Sequence, residues 1–324
     1  MIIATVDADE PPSGPEMGLE TLNLCWWNTR LAPPCTSRKA KTAPKSRFAK
    51  AVEVIAALAR DFDVVGLGEV DEQVVEQLQS EFAGRGLDGF DWIGPERGFV
   101  GKDRHLSVLC RRRKLAVEYV WLGDNYKGRG WNSALSLRAR LAFDDSTVQI
   151  FVVHWPSDRW PKGKDIRGAI AHKLRQEIDK IQARPQAEPV VLMGDFNEEP
   201  FDSGVDAALC GERARRTVVP GGGRLYNPFW RRLGEPEALD KTDNEQHPPG
   251  TYRWGTGKDA LWKTVDQILV SHGLLDGCLR LRETATGILY PRTILRPDGG
   301  FTDGFDHLPV FAVLEHHRRK EPND

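Results

Sequence analysis

Two polar residues follow an apolar run near the middle of the chain. Residues 190–193, VVLM, predict a buried strand that stops at Gly194, so Asp195 and Asn197 come directly after its carboxyl end. In an extended segment, residues two apart point to the same side, so this carboxylate and this amide would face one pocket. Sheet proteins often keep their ligand sites at such strand ends. An isolated Asp-x-Asn is equally typical of a turn, so the rest of the chain is needed to distinguish a ligand site from a turn.

Polar residues stand at the ends of other apolar runs as well. They are Asn28, Glu69, His154, Asp266, Asp306 and His307. Each of them alone has a structural alternative, such as a capping asparagine, a loop glutamate or a hydrogen-bonded core histidine. As a set they predict metal-assisted hydrolysis of a phosphate ester. Carboxylate and amide oxygens are ligands of Mg²⁺, and a histidine held by a carboxylate can deprotonate water.

The elements that must position these residues are short strands and amphipathic helices. Apolar residues at helical spacing predict helices over 48–61, 71–82 and 166–183. Apolar or alternating runs predict strands, and these lie at 19–28, just before Glu69, in five runs between 90 and 153, at 190–193, at 264–271 and after His307. Turn residues separate the five runs, which favours local antiparallel pairing there.

The composition is that of a globular protein. The chain has 324 residues, of which 40% are hydrophobic and 28% charged, and this excludes overall disorder. A net charge of −2 argues against a protein coated in basic surface. Basic runs at 38–50, 111–114 and 213–216 are either local basic patches or solvated loops and strand ends.

Cysteine usage and the N-terminus bear on the compartment. The five cysteines, at 25, 35, 110, 210 and 278, form no CxxC pair and no Cys/His ligand spacing, which is typical of a reduced compartment. The start of the chain lacks the regions of a signal peptide, and no window approaches a membrane span. We therefore expect a soluble cytoplasmic monomer without stable membrane insertion and without a protein partner.

One domain accounts for nearly the whole chain in this interpretation. Residues 1–18 predict a flexible N-terminal leader, 19–316 a single domain, and 317–324 a charged tail. Two stretches inside the domain, 31–47 and 211–250, are rich in prolines, glycines and charges. Because neither has an apolar core of its own, we expect both to be surface insertions.

Six short motifs carry a resemblance to a known family. They are WNTR at 27–30, GLGEV at 66–70, VVHWPS at 152–157, GDFNEEP at 194–200, TVDQILVS at 264–271 and DHLPV at 306–310. Their content and order resemble the endonuclease/exonuclease/phosphatase superfamily, which includes pancreatic-type deoxyribonucleases, abasic-site endonucleases, inositol polyphosphate 5-phosphatases and neutral sphingomyelinases. The resemblance spans residues 22–314. It implies an α/β fold, a four-layer α/β sandwich in which two mixed β-sheets pack face to face with helices outside.

The resemblance implies a divalent metal at one edge of the two sheets. Glu69 would be the main metal ligand, with Asn28 and Asp306 assisting. The implied cofactor is Mg²⁺, with Mn²⁺ as an alternative. Family members usually have Ser directly before the final Asp-His, whereas this chain has Phe305, so one hydroxyl donor is lost there.

The same resemblance assigns the catalytic roles. His307 paired with Asp266 would activate the water molecule. Asp195 would orient the nucleophile or serve the leaving group, while Asn197 and His154 would bind the phosphate. The implied activity is hydrolysis of a phosphate ester by attack of activated water on phosphorus.

Nucleic acid is the predicted substrate. Proteins bind it with Lys and Arg on the phosphates and with aromatic side chains on exposed bases. Arg138 lies in a predicted strand that resembles the one where some family members place a phosphate-binding arginine, and Trp155 and Trp254 are the predicted aromatic contacts. Trp26 and Trp27 are further candidates, with core packing as their alternative.

Two other functions stay open at this point. The substrate could be a small phosphorylated molecule or a phospholipid head group, hydrolysed by a phosphatase or phosphodiesterase. The chain could also be a non-catalytic binding module with the same fold. That second alternative predicts loss of site residues, and here the glutamate, the Asp-x-Asn pair and the Asp-His pair are all present.

Overall fold

A computed structural model describes most of the chain. The residues described are 20–32, 43–95, 105–126, 129–160, 162–233, 248–255, 261–296 and 299–317. The predicted leader, nearly all of the predicted tail and parts of both predicted insertions lie outside them. All statements below on strands, helices and contacts concern the described residues.

A six-stranded mixed sheet forms one half of the fold. The strands are β1 (Thr21–Asn28), β2 (Val64–Gly68), β3 (Phe90–Ile93), β4 (Leu106–Arg111), β14 (Leu279–Ile288) and β15 (Val310–His316). Their order in the sheet is β14-β15-β1-β2-β4-β3. β1 and β2 run parallel, while β1 pairs with β15 in the antiparallel sense. The parallel pair brings the carboxyl ends of β1 and β2 to the same edge.

A second mixed sheet of seven strands forms the other half. Its strands are β5 (Leu115–Tyr126), β6 (Arg129–Leu141), β7 (Thr147–His154), β8 (Val190–Asp195), β9 (Gly211–Glu212), β10 (Leu225–Tyr226) and β13 (Asp266–Ser271). Their order in the sheet is β5-β6-β7-β8-β13-β10-β9. β7 and β8 are parallel, and β13 is antiparallel to β8. A separate hairpin consists of β11 (Tyr252–Trp254) and β12 (Leu261–Lys263).

Helices cover the sheets. They are α1 (Lys45–Asp61), α2 (Glu72–Gly84), α3 (Gly163–Gln182) and the short α4 (Gly273–Asp276). The three predicted helices are confirmed, with ends that shift by three residues or fewer. α2 begins where the Asp71 carboxylate accepts a hydrogen bond from the Val74 backbone N at 2.9 Å, a usual N-cap contact. None of the described helices combines the length and apolar composition needed to cross a bilayer.

The main core lies between the two sheets. Trp26 of β1 is fully buried, and its ring, Val152 of β7 and Met193 of β8 all lie against Gly66 of β2. A second apolar cluster lies on the outer face of the seven-stranded sheet, beneath α3. This arrangement confirms the predicted α/β sandwich of two facing mixed sheets with helices.

Residues 211–233 differ from the surface insertion predicted for 211–250. β10 pairs with β13, and β9 pairs with β10, so this segment extends the seven-stranded sheet. Leu225, Tyr226 and Phe229 are buried. The apolar residues of this segment are too few and too scattered to show a strand pattern in the sequence. They are buried because β10 pairs with the edge of β13.

Candidate active site

Strand register brings the predicted site residues to one edge of both sheets. In the six-stranded sheet, Asn28 lies opposite Gly68, so Asn28 and Glu69 are neighbours. In the seven-stranded sheet, Asp195 lies opposite both His154 and Asp266. Because the sheets face each other, two clusters of polar side chains meet above the core.

A glycine sets the close approach of β7 and β8 just below the cluster. Gly194 has φ +152°, which favours glycine, and a Cβ built there would lie 2.0 Å from the Val153 carbonyl oxygen. Any other residue would push the two strands apart at the level of Asp195. The glycine that ends the VVLM run therefore fixes the position of the carboxylate that follows it.

Asn28 connects the two halves of the site. Its buried Nδ2 donates to Asp195 Oδ2 at 3.1 Å and lies 3.4 Å from Glu69 Oε1. An amide NH₂ carries two hydrogens, so it can serve both carboxylates. One side chain of the six-stranded sheet thus positions a carboxylate from each sheet.

The surroundings of the Glu69 carboxylate suit a bound cation. Its backbone φ is +52°, uncommon for a residue other than glycine. Burial, and after it the charge of Asp306, raise the pKa of its carboxyl to about 7. Its buried Oε2 has no hydrogen-bond partner among the described residues. A buried carboxylate oxygen without a donor is unfavourable unless a positive charge approaches it, so this oxygen fits a metal ion.

Asp266 and His307 form a buried pair. His307 Nδ1 lies 2.8 Å from Asp266 Oδ2, and since a carboxylate only accepts hydrogen bonds, Nδ1 is the donor. Trp26 Nε1 donates to the other oxygen, Asp266 Oδ1, at 2.8 Å. Burial would lower the pKa of His307, but the charge and hydrogen bond of Asp266 outweigh it and raise the pKa to about 10. The second ring nitrogen, Nε2, is left to face the site.

Asp195 lies between this pair and Asn28. Its Oδ2 is 3.9 Å from His307 Nε2, and its Oδ1 accepts from the Asn197 backbone N at 2.8 Å. Burial, followed by the charge of Asp266, raises the pKa of Asp195 to about 7. Ligand atoms of Asp195, Asp266 and His307 all lie within 4.8 Å of one another, so this trio is geometrically a second place for a cation. Both oxygens of Asp266 already accept hydrogen bonds, which makes the trio the poorer of the two.

The two predicted phosphate-binding residues lie beside these carboxylates. His154 Nε2 is 3.7 Å from Asp195 Oδ2 and 3.9 Å from Glu69 Oε1. Burial, with the charges of His105 and His307, lowers the pKa of His154 to about 3, so the ring is neutral at pH 7. Asn197 donates through Nδ2 to the Trp155 carbonyl oxygen at 2.8 Å, which ties the loop after β8 to the loop after β7.

Asp306 is paired with an arginine that the sequence analysis did not single out. Arg30 Nη1 lies 2.9 Å from Asp306 Oδ2 and donates to the Gly304 carbonyl oxygen at 2.7 Å. Arg30 stands two residues after Asn28, inside the WNTR motif, and that proximity was the available signal. It was missed because an arginine in a loop, without a predicted partner, is most often a solvated side chain.

Comparison with known proteins agrees with this geometry. A profile of the Endonuclease/Exonuclease/phosphatase family matches residues 25–284. The chain belongs to this family. Members of the Endonuclease/Exonuclease/phosphatase family are phosphoester hydrolases, so the coarse activity follows from membership.

Solved structures of the Endonuclease/Exonuclease/phosphatase fold are similar over most of their length. A family protein from Bacteroides thetaiotaomicron is 18% identical with a TM-score of 0.59, and the match covers 92% of this chain and 99% of that one. The mannosyl-6-phosphatase Bt3783 of the same organism is 18% identical, with a TM-score of 0.54 and coverage of 90% and 99%. TDP2 of D. rerio, complexed with a single strand DNA product, is 15% identical, with a TM-score of 0.55 and coverage of 91% and 98%. No curated protein sequence matches the chain. At these identities the likeness shows the fold.

Two of the predicted substrate-binding residues, Arg138 and Trp155, do not line the candidate site. Arg138 lies opposite Gln149, five residues before His154 on the neighbouring strand, or roughly 17 Å away. Its exposed guanidinium is paired with Glu188 at 2.7 Å. Trp155 is only 1% exposed and packs edge-on against Phe196, so its ring is part of the core. The two corrections have different causes: Arg138 lies too far along its strand, whereas the Trp155 ring turns into the core.

Trp254 is the predicted aromatic contact that remains accessible. It is 51% exposed at the end of β11, and Lys263 Nζ lies 5.6 Å from its ring centroid. The neighbouring Tyr252 packs its ring against the imidazole of His307, with centroids 4.5 Å apart. The β11–β12 hairpin thus carries an exposed aromatic and a cation next to the buried pair. Trp26 and Trp27 are fully buried, as their structural alternative predicted.

Phe305 replaces the usual family serine with a packing contact. It is buried, and its ring stacks on Trp27 with centroids 5.7 Å apart. Trp27 in turn donates through Nε1 to the His307 carbonyl oxygen at 3.1 Å. The hydroxyl that this position supplies elsewhere is absent, and an aromatic stack supports the His307 backbone instead.

Proposed function

We propose that this protein hydrolyses phosphodiester bonds of nucleic acid by metal-assisted attack of water on phosphorus. The observation that carries the proposal is the buried Asp266–His307 pair, whose free Nε2 faces a second cluster of Asn28, Glu69 and Asp195. A carboxylate-held histidine opposite a cluster of carboxylates is what a water-activating hydrolase requires. The family membership supports the same reaction class.

The Glu69 side of the cluster fits the divalent metal best. Glu69 offers an oxygen without a donor, and Asp306 has one carboxylate oxygen without a hydrogen bond or ion pair to any described residue. Asn28 positions Glu69 and completes a donor set of oxygen and amide groups, which suits Mg²⁺, or Mn²⁺ in its place. When bound, such a cation supplies charge that offsets the negative charge of the phosphate.

Different residues of the protein transfer the proton and orient the reacting groups. His307 Nε2 takes the proton from the attacking water, and Asp266 stabilises the imidazolium that results. Asp266 is the main cause of the raised pKa of His307, and Asp306, a proposed metal ligand, also contributes to it. A bound cation would offset the charge of Asp306 and so favour the neutral ring that accepts a proton. Asp195 orients the water or serves the leaving oxygen.

Neutral donors complete the binding of the phosphate. His154 is uncharged at pH 7 because burial lowers its pKa to about 3, so it donates a hydrogen bond without adding charge. Asn197, held by its contact with the Trp155 carbonyl oxygen, presents its amide at the same edge. Donors aimed at the phosphate oxygens stabilise the charge that develops as the bond to the leaving group breaks.

The hairpin beside the site favours a nucleic-acid substrate. An exposed Trp254 with Lys263 over its ring offers a stacking surface and a cation, the two contacts that single strands use. The positive charges of Arg159 and Arg30 act on Tyr252, so both arginines lie within electrostatic range of the opening. The DNA product bound by the similar D. rerio TDP2 supports the same substrate class.

A substrate panel tests the proposal. Purified protein is assayed in Mg²⁺ and in Mn²⁺ against single-stranded DNA, double-stranded DNA, RNA, bis-p-nitrophenyl phosphate and a sugar phosphate, with Glu69→Gln as the control. We expect cleavage of a polynucleotide that is lost in the control. Cleavage of the sugar phosphate alone would place the enzyme with the mannosyl-6-phosphatase in substrate class and overturn the nucleic-acid proposal. Inactivity on every substrate would overturn the enzymatic proposal itself.

A further inference from the structure

Arg30 is fixed at the edge of the site by its own backbone. Its φ is +54°, and its backbone N donates to Asn28 Oδ1 at 3.2 Å. Its carbonyl oxygen accepts from Arg47 Nη1 at 3.0 Å. A left-handed conformation is unusual for arginine, and here two contacts with side chains hold it. The Cα of Arg30 therefore has a defined place next to the Asn28–Glu69 cluster.

The side chain of Arg30 is only partly used. Nη1 contacts Asp306 Oδ2 and the Gly304 carbonyl oxygen. Nε and Nη2 donate no hydrogen bond to any of the described residues, and the side chain is 33% exposed. A guanidinium has five N–H donors in a planar fork, so one edge is anchored and the remaining donors are open to a ligand. Anchoring on one side reduces the entropy lost when the other side binds.

The surroundings of Arg30 favour an anion. Arg47 lies close enough for its pKa to be lowered by burial and by the charge of Arg30. Arg47 donates from Nε to the Asp303 carbonyl oxygen at 2.7 Å, so its guanidinium is already committed to the backbone. The charge of Arg30 also acts on Glu69 and on Tyr252. Although Asp306, Asp303 and Glu69 offset part of this charge, the Arg47 guanidinium adds positive charge next to Arg30 and so favours an anion at the open donors of Arg30.

We infer that Arg30 contacts a phosphate of the substrate and is the phosphate-binding arginine that the sequence analysis sought at Arg138. This inference rests on the proposed function, since it names a substrate contact of the same site. Its open N–H donors would bind a non-bridging oxygen of the phosphate while Asp306 holds the other edge of the guanidinium. Arginine suits this contact because its fork matches phosphate geometry and its charge is permanent.

Oligonucleotide binding without turnover tests the inference directly. A fluorescent single-stranded DNA is titrated into wild type, Arg30→Gln, Arg30→Lys and the matched control Arg138→Gln, in EDTA and in Ca²⁺. Loss of a charge-assisted contact is expected to weaken binding by Arg30→Gln about 10- to 100-fold. The salt dependence of binding should fall by about one unit of slope. Arg138→Gln should bind as wild type does, and Arg30→Lys should recover only part of the loss.

A structural role for Arg30 predicts a different result. If Arg30 only held Asp306, Arg30→Gln would raise the metal concentration needed for activity and leave the oligonucleotide Kd unchanged. Equal Kd values for Arg30→Gln and Arg138→Gln, or wild-type protein that binds neither the oligonucleotide nor inorganic phosphate, would overturn the inference. Binding that depends on Arg30 in a protein that hydrolyses no phosphate ester would refute the proposed function and leave the Arg30 contact standing.

Discussion

Glu69 and Asp195 are carboxyl groups placed where ionisation is costly. Burial is the largest cause at both, and it raises the pKa of each to about 7. Neither finds a full set of donors: Asn28 serves both, and Glu69 Oε2 has no partner among the described residues. A cluster of this kind is unfavourable by itself and would gain most from a bound cation, which supports the proposed metal site.

Metal affinity should therefore depend on pH around neutrality. Below a pKa of about 7 Glu69 is protonated, and a cation must displace that proton, whereas above it the carboxylate is ready to bind. We expect the affinity for Mn²⁺ to fall by up to about tenfold per pH unit below neutrality and to level off above pH 8. Isothermal titration calorimetry at pH 5.5, 6.5, 7.5 and 8.5 measures it.

Glu69→Gln serves as the control for the metal titration. This variant keeps the shape of the side chain and removes the charge, so it should bind Mn²⁺ weakly and with a shallower pH dependence. Affinity that is independent of pH in the wild type, or unchanged by Glu69→Gln, would contradict the assignment of Glu69 as a ligand.

At the scale of elements, α3 holds the two loops that carry the site. Arg167 of α3 is 5% exposed and donates from Nε to Glu198 Oε1 at 3.0 Å, and from Nη1 to the Pro156 carbonyl oxygen at 2.9 Å. Pro156 follows β7, whose last residue is His154, and Glu198 follows the Asp195-x-Asn197 segment. Glu198 also accepts from the Gly204 backbone N at 2.7 Å. One guanidinium thus joins the loops after β7 and β8.

Removing that guanidinium should be strongly destabilising. Arg167→Met leaves the Glu198 carboxylate buried without its partner, and breaking a buried ion pair from one side costs about 3–5 kcal/mol. Urea unfolding followed by circular dichroism measures the free energy of unfolding. Arg138→Met is the matched control, because its ion pairs are exposed and should contribute only about 0–1 kcal/mol. An equal loss of unfolding free energy in the two variants would show that Arg167 contributes no more to stability than an exposed arginine does.

The elements were the part of the structure that the sequence predicted best. Helices such as 166–183 follow from a strong apolar period, with Ile166, Ile170, Leu174 and Ile178 on one buried face. Strand ends were predicted because Asn28, Glu69, His154 and Asp195 interrupt apolar runs. Two-residue strands such as β10 leave no period to detect, and only pairing with β13 makes them strands.

At the scale of the whole molecule, the site exists only where the two sheets meet. Trp26 comes from β1 of the six-stranded sheet and donates to Asp266 Oδ1 of the seven-stranded sheet. The same ring is fully buried and packs against Gly66 in the core between the sheets. The Asp266–His307 pair, the proposed general base and its partner, is thus held by a core residue of the opposite sheet. In the proposed mechanism this contact couples core packing to catalysis.

Trp26→Phe tests this coupling. The change leaves a buried carboxylate oxygen without its donor, so we expect a loss of about 1–3 kcal/mol in the free energy of unfolding and a clear fall in kcat. Trp27→Phe is the neighbouring control: it loses a hydrogen bond to the His307 carbonyl oxygen, yet it leaves Asp266 untouched. A kcat reduced equally by both variants would contradict a specific role for Trp26.

The sequence predicted which residues lie together at the candidate site, but not where every side chain points. Order and motif predicted that seven residues lie together: Asn28, Glu69, His154, Asp195, Asp266, Asp306 and His307. The registers of β1–β2, β7–β8 and β8–β13, with the start of β15 beside β1, bring them to one edge. The predictions for Arg138 and Trp155 did not hold, because a single sequence reveals neither the strand register that places Arg138 far from His154 nor the packing that buries the Trp155 ring. Arg30 and the Trp26–Asp266 contact could not be predicted, since their partners lie 276 and 240 residues away along the chain.

The measurement that tests the central claim most directly is the rate of bis-p-nitrophenyl phosphate hydrolysis as Mg²⁺ or Mn²⁺ is titrated, for wild type and His307→Gln. We predict hydrolysis that saturates with the metal in the wild type. His307→Gln should lower kcat about 10²- to 10⁴-fold, the usual contribution of a general base, while its affinity for Mn²⁺ stays close to that of the wild type. Hydrolysis that needs no metal, or an equal kcat in the two proteins, would contradict the account.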